Sequence, residues 1–346
     1  MIDTRKQQII DFIEKTGECS SKEVFEGVNI SVSYATLKRL LLNLMSDNYI
    51  STKGQGKGTK YIISPAYQVI QPIDVELYYK KEIDERKIIE GFNFTVINEV
   101  LAKNSVFAEK ELSKLYELQK YFQQNISQLS ESEYKKEFER LAIDLSWKSS
   151  QIEGNTYSLL ETEKLLKEKE LADGKTREEA IMLLNHKDAL DFIIDNPNYL
   201  YPLSVSNIED IHSVLVKELS VERNIRKRRV GISGTNYRPL DNEFQISEAL
   251  QNTCIVINNK ESIFEKALLA LVLISYIQPF MDGNKRTARI VSNAILMHEK
   301  YCPLSFRTVD SIEYKKAMLL FYEQNNISKL KEIFMNQFEF AVNTYF

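Results

Sequence analysis

Asp282, Gly283, Asn284, Lys285, Arg286 and Arg289 lie within eight residues and bring together a hard oxygen ligand, a glycine, an amide and three cations. That set suits a phosphate ester with its metal ion. Arg286 and Arg289 are three apart, on one side of a helix, where two guanidinium groups can grip successive phosphates. The Asn284 amide can donate to a phosphate oxygen, Gly283 lets a ligand approach the backbone, and Asp282 suits Mg²⁺. The same residues also suit a proline turn with a solvated basic end.

The flanking segments position this group. Residues 264 to 277 are almost uninterruptedly apolar, which predicts a buried helix delivering Gln278 to an interior turn. Pro279 stops that helix. Residues 287 to 297 have the apolar spacing of a second helix, with Ile290, Val291, Ala294 and Ile295 on one face. The polar group therefore sits at a helix N-terminus, whose free N–H groups and partial positive charge favour anions. Far upstream, Ser149 and Glu153 are four apart on one helical face, and Gly154 is the residue expected just past a helix end.

The stretch Gln278-Pro279-Phe280-Met281-Asp282-Gly283-Asn284-Lys285-Arg286-Thr287-Ala288-Arg289 resembles the signature of the Fic family, His-Pro-Phe-x-Asp-Gly-Asn-Gly-Arg-x-x-Arg. It differs at two specified positions. The resemblance implies transfer of AMP from ATP, with Mg²⁺, to a Ser, Thr or Tyr hydroxyl of a target protein. The family's His deprotonates that hydroxyl; here the position holds Gln278. A carboxamide has no usable basicity near neutral pH, whereas a positioned base contributes about 10²–10⁴ in rate. The implied enzyme is impaired. Lys285 resembles the Doc-type branch, linked to phosphate transfer, whereas Arg289 resembles the second Arg of AMP-transferring members.

Ser149-Ser150-Gln151-Ile152-Glu153-Gly154 resembles the family's inhibitory motif, Ser/Thr-x-x-x-Glu-Gly/Asn. By that resemblance Glu153 pairs with Arg289 and occupies the γ-phosphate position. A guanidinium grips either a carboxylate or a phosphate in bidentate fashion. Residues 225 to 239, with Val230, Gly231, Ile232, Gly234 and Asn236, carry a hairpin signal amid helices. They resemble the Fic flap, whose edge strand pairs with the target. The run Arg226-Lys227-Arg228-Arg229 can be solvated, face an acidic partner or meet ATP phosphates.

The chain has 346 residues, 43% hydrophobic, and a net charge of −4, so a core is expected and a global basic field is not. Three widely spaced cysteines, Cys19, Cys254 and Cys302, suit a reducing cytoplasm and form no disulfide or zinc pattern. No segment has the length of a membrane span, and residues 1 to 5 open into an amphipathic helix without a signal-peptide core. The protein is expected to be soluble and cytoplasmic. His186 and His212 fall within apolar helices and are expected to be packed rather than to replace the missing base.

Residues 1 to 64 predict three helices and a hairpin with a Gly-rich basic tip, an order resembling a winged helix-turn-helix. Lys38 and Arg39 on the third helix, with Lys53 and Lys57 on the wing, are the DNA-binding candidates; a protein-contact module is the alternative use. Residues 65 to 72 predict a linker, opening a stretch to 144 of linker and helical scaffold, and residues 145 to 346 a Fic domain with C-terminal helices. The expected fold is mainly α: a helical Fic core with a β-hairpin flap, plus the N-terminal winged helix. The expected function is ATP binding by a protein of the AMP-transferase class, autoinhibited by Glu153. The alternatives are a nucleotide-responsive DNA-binding regulator and a Doc-like phosphotransferase. Expected partners are ATP, a target protein on the flap, DNA and a second copy of the chain.

Overall fold

The computed structural model describes residues 2–346; the Lys57 side chain, one of the wing candidates, lies outside the described residues. Among the described residues three hydrophobic clusters form: a small one in the N-terminal unit, a large one through most of the rest, and a minor one of Tyr157, Leu165, Ala180 and Leu183. In the N-terminal unit α1 (Thr4–Thr16), α2 (Ser21–Gly27) and α3 (Tyr34–Ser46) precede the antiparallel hairpin β1 (Ile50–Lys53) and β2 (Lys60–Ile63), paired Ile50 to Ile63. Ser20 and Glu23 form a reciprocal capping box on α2, and Ser33 caps α3. These side chains satisfy N–H groups that a helix start leaves free. Ile9, Ile13, Leu37, Leu41 and Leu44 form the buried seam.

The expected basic face is weaker than the sequence implies. Lys53 pairs with Glu18, and Lys60 with Glu23 at 2.7 Å, so two of the hairpin's cations are matched by acids of the same unit. Lys38 and Arg39 on α3 stay exposed.

The linker expected at 65 to 72 is instead docked. Ala66, Tyr67, Val69 and Ile70 are buried, with Tyr67–Ile70 forming the short α4. The Asn326 amide donates to the Gln68 and Gln71 carbonyls, and Ile327 N–H to Val69 O. Apolar side chains on four of six positions explain why a segment bounded by prolines packs rather than floats. The short α5 (Val75–Tyr78) follows, and a π-helical turn spans Val96–Leu101.

The large core and the minor cluster are built by α6 (Glu109–Ile126), α7 (Glu131–Ile152), α8 (Leu159–Glu168), α9 (Arg177–Asp195), α10 (Val205–Leu215), α11 (Glu243–Asn259), α12 (Ile263–Ile277), α13 (Asn284–His298), α14 (Ser311–Gln324) and α15 (Ser328–Tyr345), with α8 in the minor one. Nearly every α12 side chain is buried, as its unbroken apolar run demands. It packs against α11, α13, α14 and α15. No helix among the described residues is long and apolar enough to cross a membrane. The three cysteines are free and buried.

The expected flap hairpin does not form. Among the described residues the only sheet is β1–β2, and the segment from 225 to 240 makes a single isolated bridge, Arg238 to Gly91. Arg226 explains why. It is fully buried, and its guanidinium donates to the Gln278, Arg228 and Leu240 carbonyls at 2.6, 2.9 and 2.5 Å. A guanidinium used as an internal strut fixes both arms of the loop to the core, which removes the register a hairpin needs. The far arm is held from outside: Arg238 N–H donates to Glu90 O, Arg86 to Gly234 O and the Asn236 amide to Asp84.

Candidate functional site

The C-terminus of α7, the N-terminus of α13, the loop at 230 to 233 and one face of α14 enclose a cavity of about 380 Å³. Gln278 opens the turn between α12 and α13 with φ 52°, a left-handed conformation for a non-glycine residue. Its N–H donates to Ile274 O, and its side chain is tied to three neighbours. Its amide donates to Ser275 O at 2.7 Å and reaches Tyr322 Oη at 3.2 Å, and its oxygen accepts from the Asn284 amide at 3.1 Å. These contacts occupy the group facing the cavity, and none of them makes it a base.

The cationic residues separate into two kinds. Arg286, expected to grip phosphate, is buried and donates to Leu215 O and to the Asp282 carboxylate, away from the cavity lining. Arg289 is also buried, but it is directed at α7: Nε donates to Ser149 Oγ at 2.8 Å, and Nη2 to Ser149 O and to Glu153 Oε1, both at 2.9 Å. Lys285 lines the cavity and places Nζ 3.1 Å from Glu153 Oε2. Each carboxylate oxygen of Glu153 thus has its own cation. Ser149 therefore orients the guanidinium that Glu153 holds.

Burial pushes the Glu153 carboxyl up, but Arg289 and Lys285 outweigh it and hold its pKa at about 2. A carboxyl depressed from its usual value near 4.3 adds stability above that value, and loses it as pH falls toward 2. Near neutral pH the contact stays charged.

Asn284 does not present its amide to a ligand. Nδ2 donates to Phe280 O and Gln278 Oε1, while Oδ1 accepts from Phe280 N–H, so the residue ties the turn together. Gly283 is needed for its φ of 80°, and a Cβ there would meet His212 and Val216 at 3.4 Å. That is an ordinary contact distance, so the turn conformation alone calls for the glycine. Asp282 has an exposed side chain bonded to Arg286. Among the described residues no group of three His, Cys, Asp or Glu side chains gathers as a metal cluster. A nucleotide-borne Mg²⁺ asks for only one or two carboxylates, which Asp282 alone satisfies.

Neither interior histidine reaches the cavity. His212 stacks on Phe280 with centroids 3.7 Å apart, and its ring nitrogens face Arg223 O and Asp282 O. His186 is fully buried, and burial followed by the charges of Arg289 and Arg286 holds its pKa well below the usual range. Val230, Gly231 and Ile232 line the cavity, and among the described residues they pair with no strand. Sequence reasoning missed the wall supplied by Lys315, Met318, Leu319 and Tyr322 of α14, because apolar spacing reads there as core alone.

The Fic/DOC family model matches residues 202–296. The chain is 26% identical over 175 residues to protein adenylyltransferase fic-1 of Caenorhabditis elegans, covering 48% of this chain and 34% of that protein. It is 28% identical over 173 residues to protein adenylyltransferase Fic of Nematostella vectensis, covering 48% of this chain and 40% of that protein. It thus spans well under half the length of these relatives. Among solved structures, C. elegans Fic-1 (residues 134–508) superposes with a TM-score of 0.60 at 21% identity, over 68% of this chain and 71% of that one. A Fic domain containing signaling protein from Bacteroides thetaiotaomicron superposes with a TM-score of 0.57 at 18% identity, over 68% of this chain and 95% of that one. The turn after α12, most of α13 and the buried strut of Arg226 all lie in the segment that the Fic/DOC family model matches.

Proposed function

We propose that the cavity binds Mg·ATP as a site of the protein AMP-transferase class, blocked by Glu153 and impaired in transfer by Gln278. The observation that carries this reading is the Glu153 carboxylate held between Arg289 and Lys285, since a carboxylate so placed mimics a phosphate on the same cations. Asp282 would hold the Mg²⁺, which when bound supplies charge neutralisation along the phosphates. In the transfer, a target hydroxyl oxygen bonds to the α-phosphorus, the bond from that phosphorus to the bridging oxygen breaks and pyrophosphate leaves. The hydroxyl proton must go to a base, and the Gln278 amide cannot take it. The free backbone of Val230 to Ile232 beside the cavity suits an added target strand.

Titration calorimetry of Mg·ATP tests this. Binding to Glu153→Gly is expected at least about tenfold tighter than to the intact protein, a difference of about 1.4 kcal/mol. No binding to either form would sink the reading. Because Glu153 remains charged well below neutrality, the ratio of the two affinities is expected to stay constant from about pH 5.5 to 8. A ratio collapsing toward one within that range would show that protonation releases the block.

A second reading, a nucleotide-responsive regulator without transfer, is favoured by the hydrogen bonds that lock Gln278 as a strut. The N-terminal unit as a winged helix contacting DNA through Lys38 and Arg39 belongs to this reading. It predicts ATP-dependent retention on DNA, lost in Lys38→Ala with Arg39→Ala.

A further inference from the structure

Lys285 and Glu153 both sit where their own helices disfavour them. Lys285 is in the first turn of α13, where the helix end is already positive, and Glu153 is the C-cap of α7, where the end is negative. Each placement is unfavourable alone, and each corrects the other across a 3.1 Å contact. Lys285 and Arg289 are four apart on one face of α13, so they present two cations to a single anion with two oxygens. Among the described residues Lys285 pairs with Glu153 alone, and Arg289 Nη1 is buried without a hydrogen-bond partner, its guanidinium lying over the Tyr314 ring. With Glu153 withdrawn, Lys285 would face the cavity without a counter-charge, and Arg289 beside it would keep only Ser149 as a hydrogen-bond partner.

We propose that Lys285 works on both sides of the switch: it is the second holder of Glu153 in the closed site, and the holder of a nucleotide phosphate in the open one. The proposal rests on the ATP-site reading above and adds a role for Lys285 in controlling it. Because the residue serves both states, its removal weakens the block and the ligand together. In the intact protein these two losses offset each other; once Glu153 is gone, only the second remains.

The test is a double-mutant cycle with Lys285→Ala and Glu153→Gly, read by calorimetry with Mg·ATP and by the thermal midpoint without ligand. Lys285→Ala is expected to weaken ATP roughly tenfold in the Glu153→Gly background, and several-fold less in the background that retains Glu153. The unliganded midpoint should fall on removing Lys285 from the intact chain. It should hold or rise in Glu153→Gly, where the lysine only repels Arg289. Lys285→Met, which keeps the apolar stem, should reproduce both patterns if charge is the cause.

Equal losses of ATP affinity in the two backgrounds would mean that Lys285 does not hold Glu153. No loss in Glu153→Gly would mean that it holds nothing else. Either result overturns the two-sided role while leaving ATP binding intact. Failure of every Glu153→Gly protein to bind ATP would overturn the site reading and this role with it.

Discussion

A chain carrying both Gln278→His and Glu153→Gly is expected to transfer label from α-labelled ATP to protein about 10²–10⁴ times faster than Glu153→Gly alone. The gain comes from supplying a base at the one position of the turn that faces the cavity from the end of α12. Histidine can occupy the site because the left-handed φ of 52° is set by the turn and by the Gln278 N–H donated to Ile274 O, which any non-proline residue retains. The cost is modest: the Ser275 carbonyl keeps the Tyr322 hydroxyl as donor after the Gln278 amide is lost. Gln278→His alone should remain nearly silent, since Glu153 still occupies the two cations. The assay compares all four proteins with α- and γ-labelled ATP, with the chain itself and a cell lysate as acceptors. Absence of α-label in the double mutant would end the AMP-transfer reading, and γ-label in its place would identify phosphate transfer.

Glu323→Ala is expected to destabilise the protein by about 3–5 kcal/mol, because it leaves Arg86 buried without its counter-charge. The pair is almost dry, with side chains 5% and 1% exposed, and Arg86 Nη1 lies 2.9 and 3.2 Å from the two carboxylate oxygens. The carboxylate also accepts from Tyr78 Oη at 2.7 Å, and the Glu323 carbonyl accepts from Ile89 N–H. One residue of α14 thus anchors α5 and the chain that follows it. Arg86 in turn donates to Gly234 O, so the loop at 225 to 240 loses a tether as well. Denaturant titration followed by circular dichroism would show the loss, and amide exchange should rise between residues 84 and 91 and around Gly234. Glu323→Leu with Arg86→Met should restore most of the stability, since the penalty is that of an unpaired buried charge. Equal destabilisation by the single and the paired replacement would refute this account.

The chain's own residues determined the local parts. The apolar run of α12, Pro279 and the spacing of α13 placed the turn, because helical period and a missing N–H act within a few residues. Ser20, Ser33, Ser130 and Ser158 cap four helix starts in the structure, an interaction that is equally local. The four-residue spacing of Ser149 and Glu153 before Gly154 placed a carboxylate at a helix end, and the resemblance of that motif named Arg289 as its partner.

Tertiary structure decided which polar groups remain free. Arg226, Arg286 and Asn284 have the types of ligand-binding residues, yet backbone carbonyls that packing leaves without partners claim all three. A sequence lists donors but not the acceptors that burial strips of water, and an unmet buried acceptor costs enough to recruit whichever donor reaches it. The same reason unpaired the flap, whereas burial of apolar side chains docked the segment at 65 to 72. Lys285 makes the point in the opposite direction: from sequence it was a departure from a pattern at a helix start, and only the return of α7 across α13 supplied the Glu153 carboxylate that makes a cation favourable there.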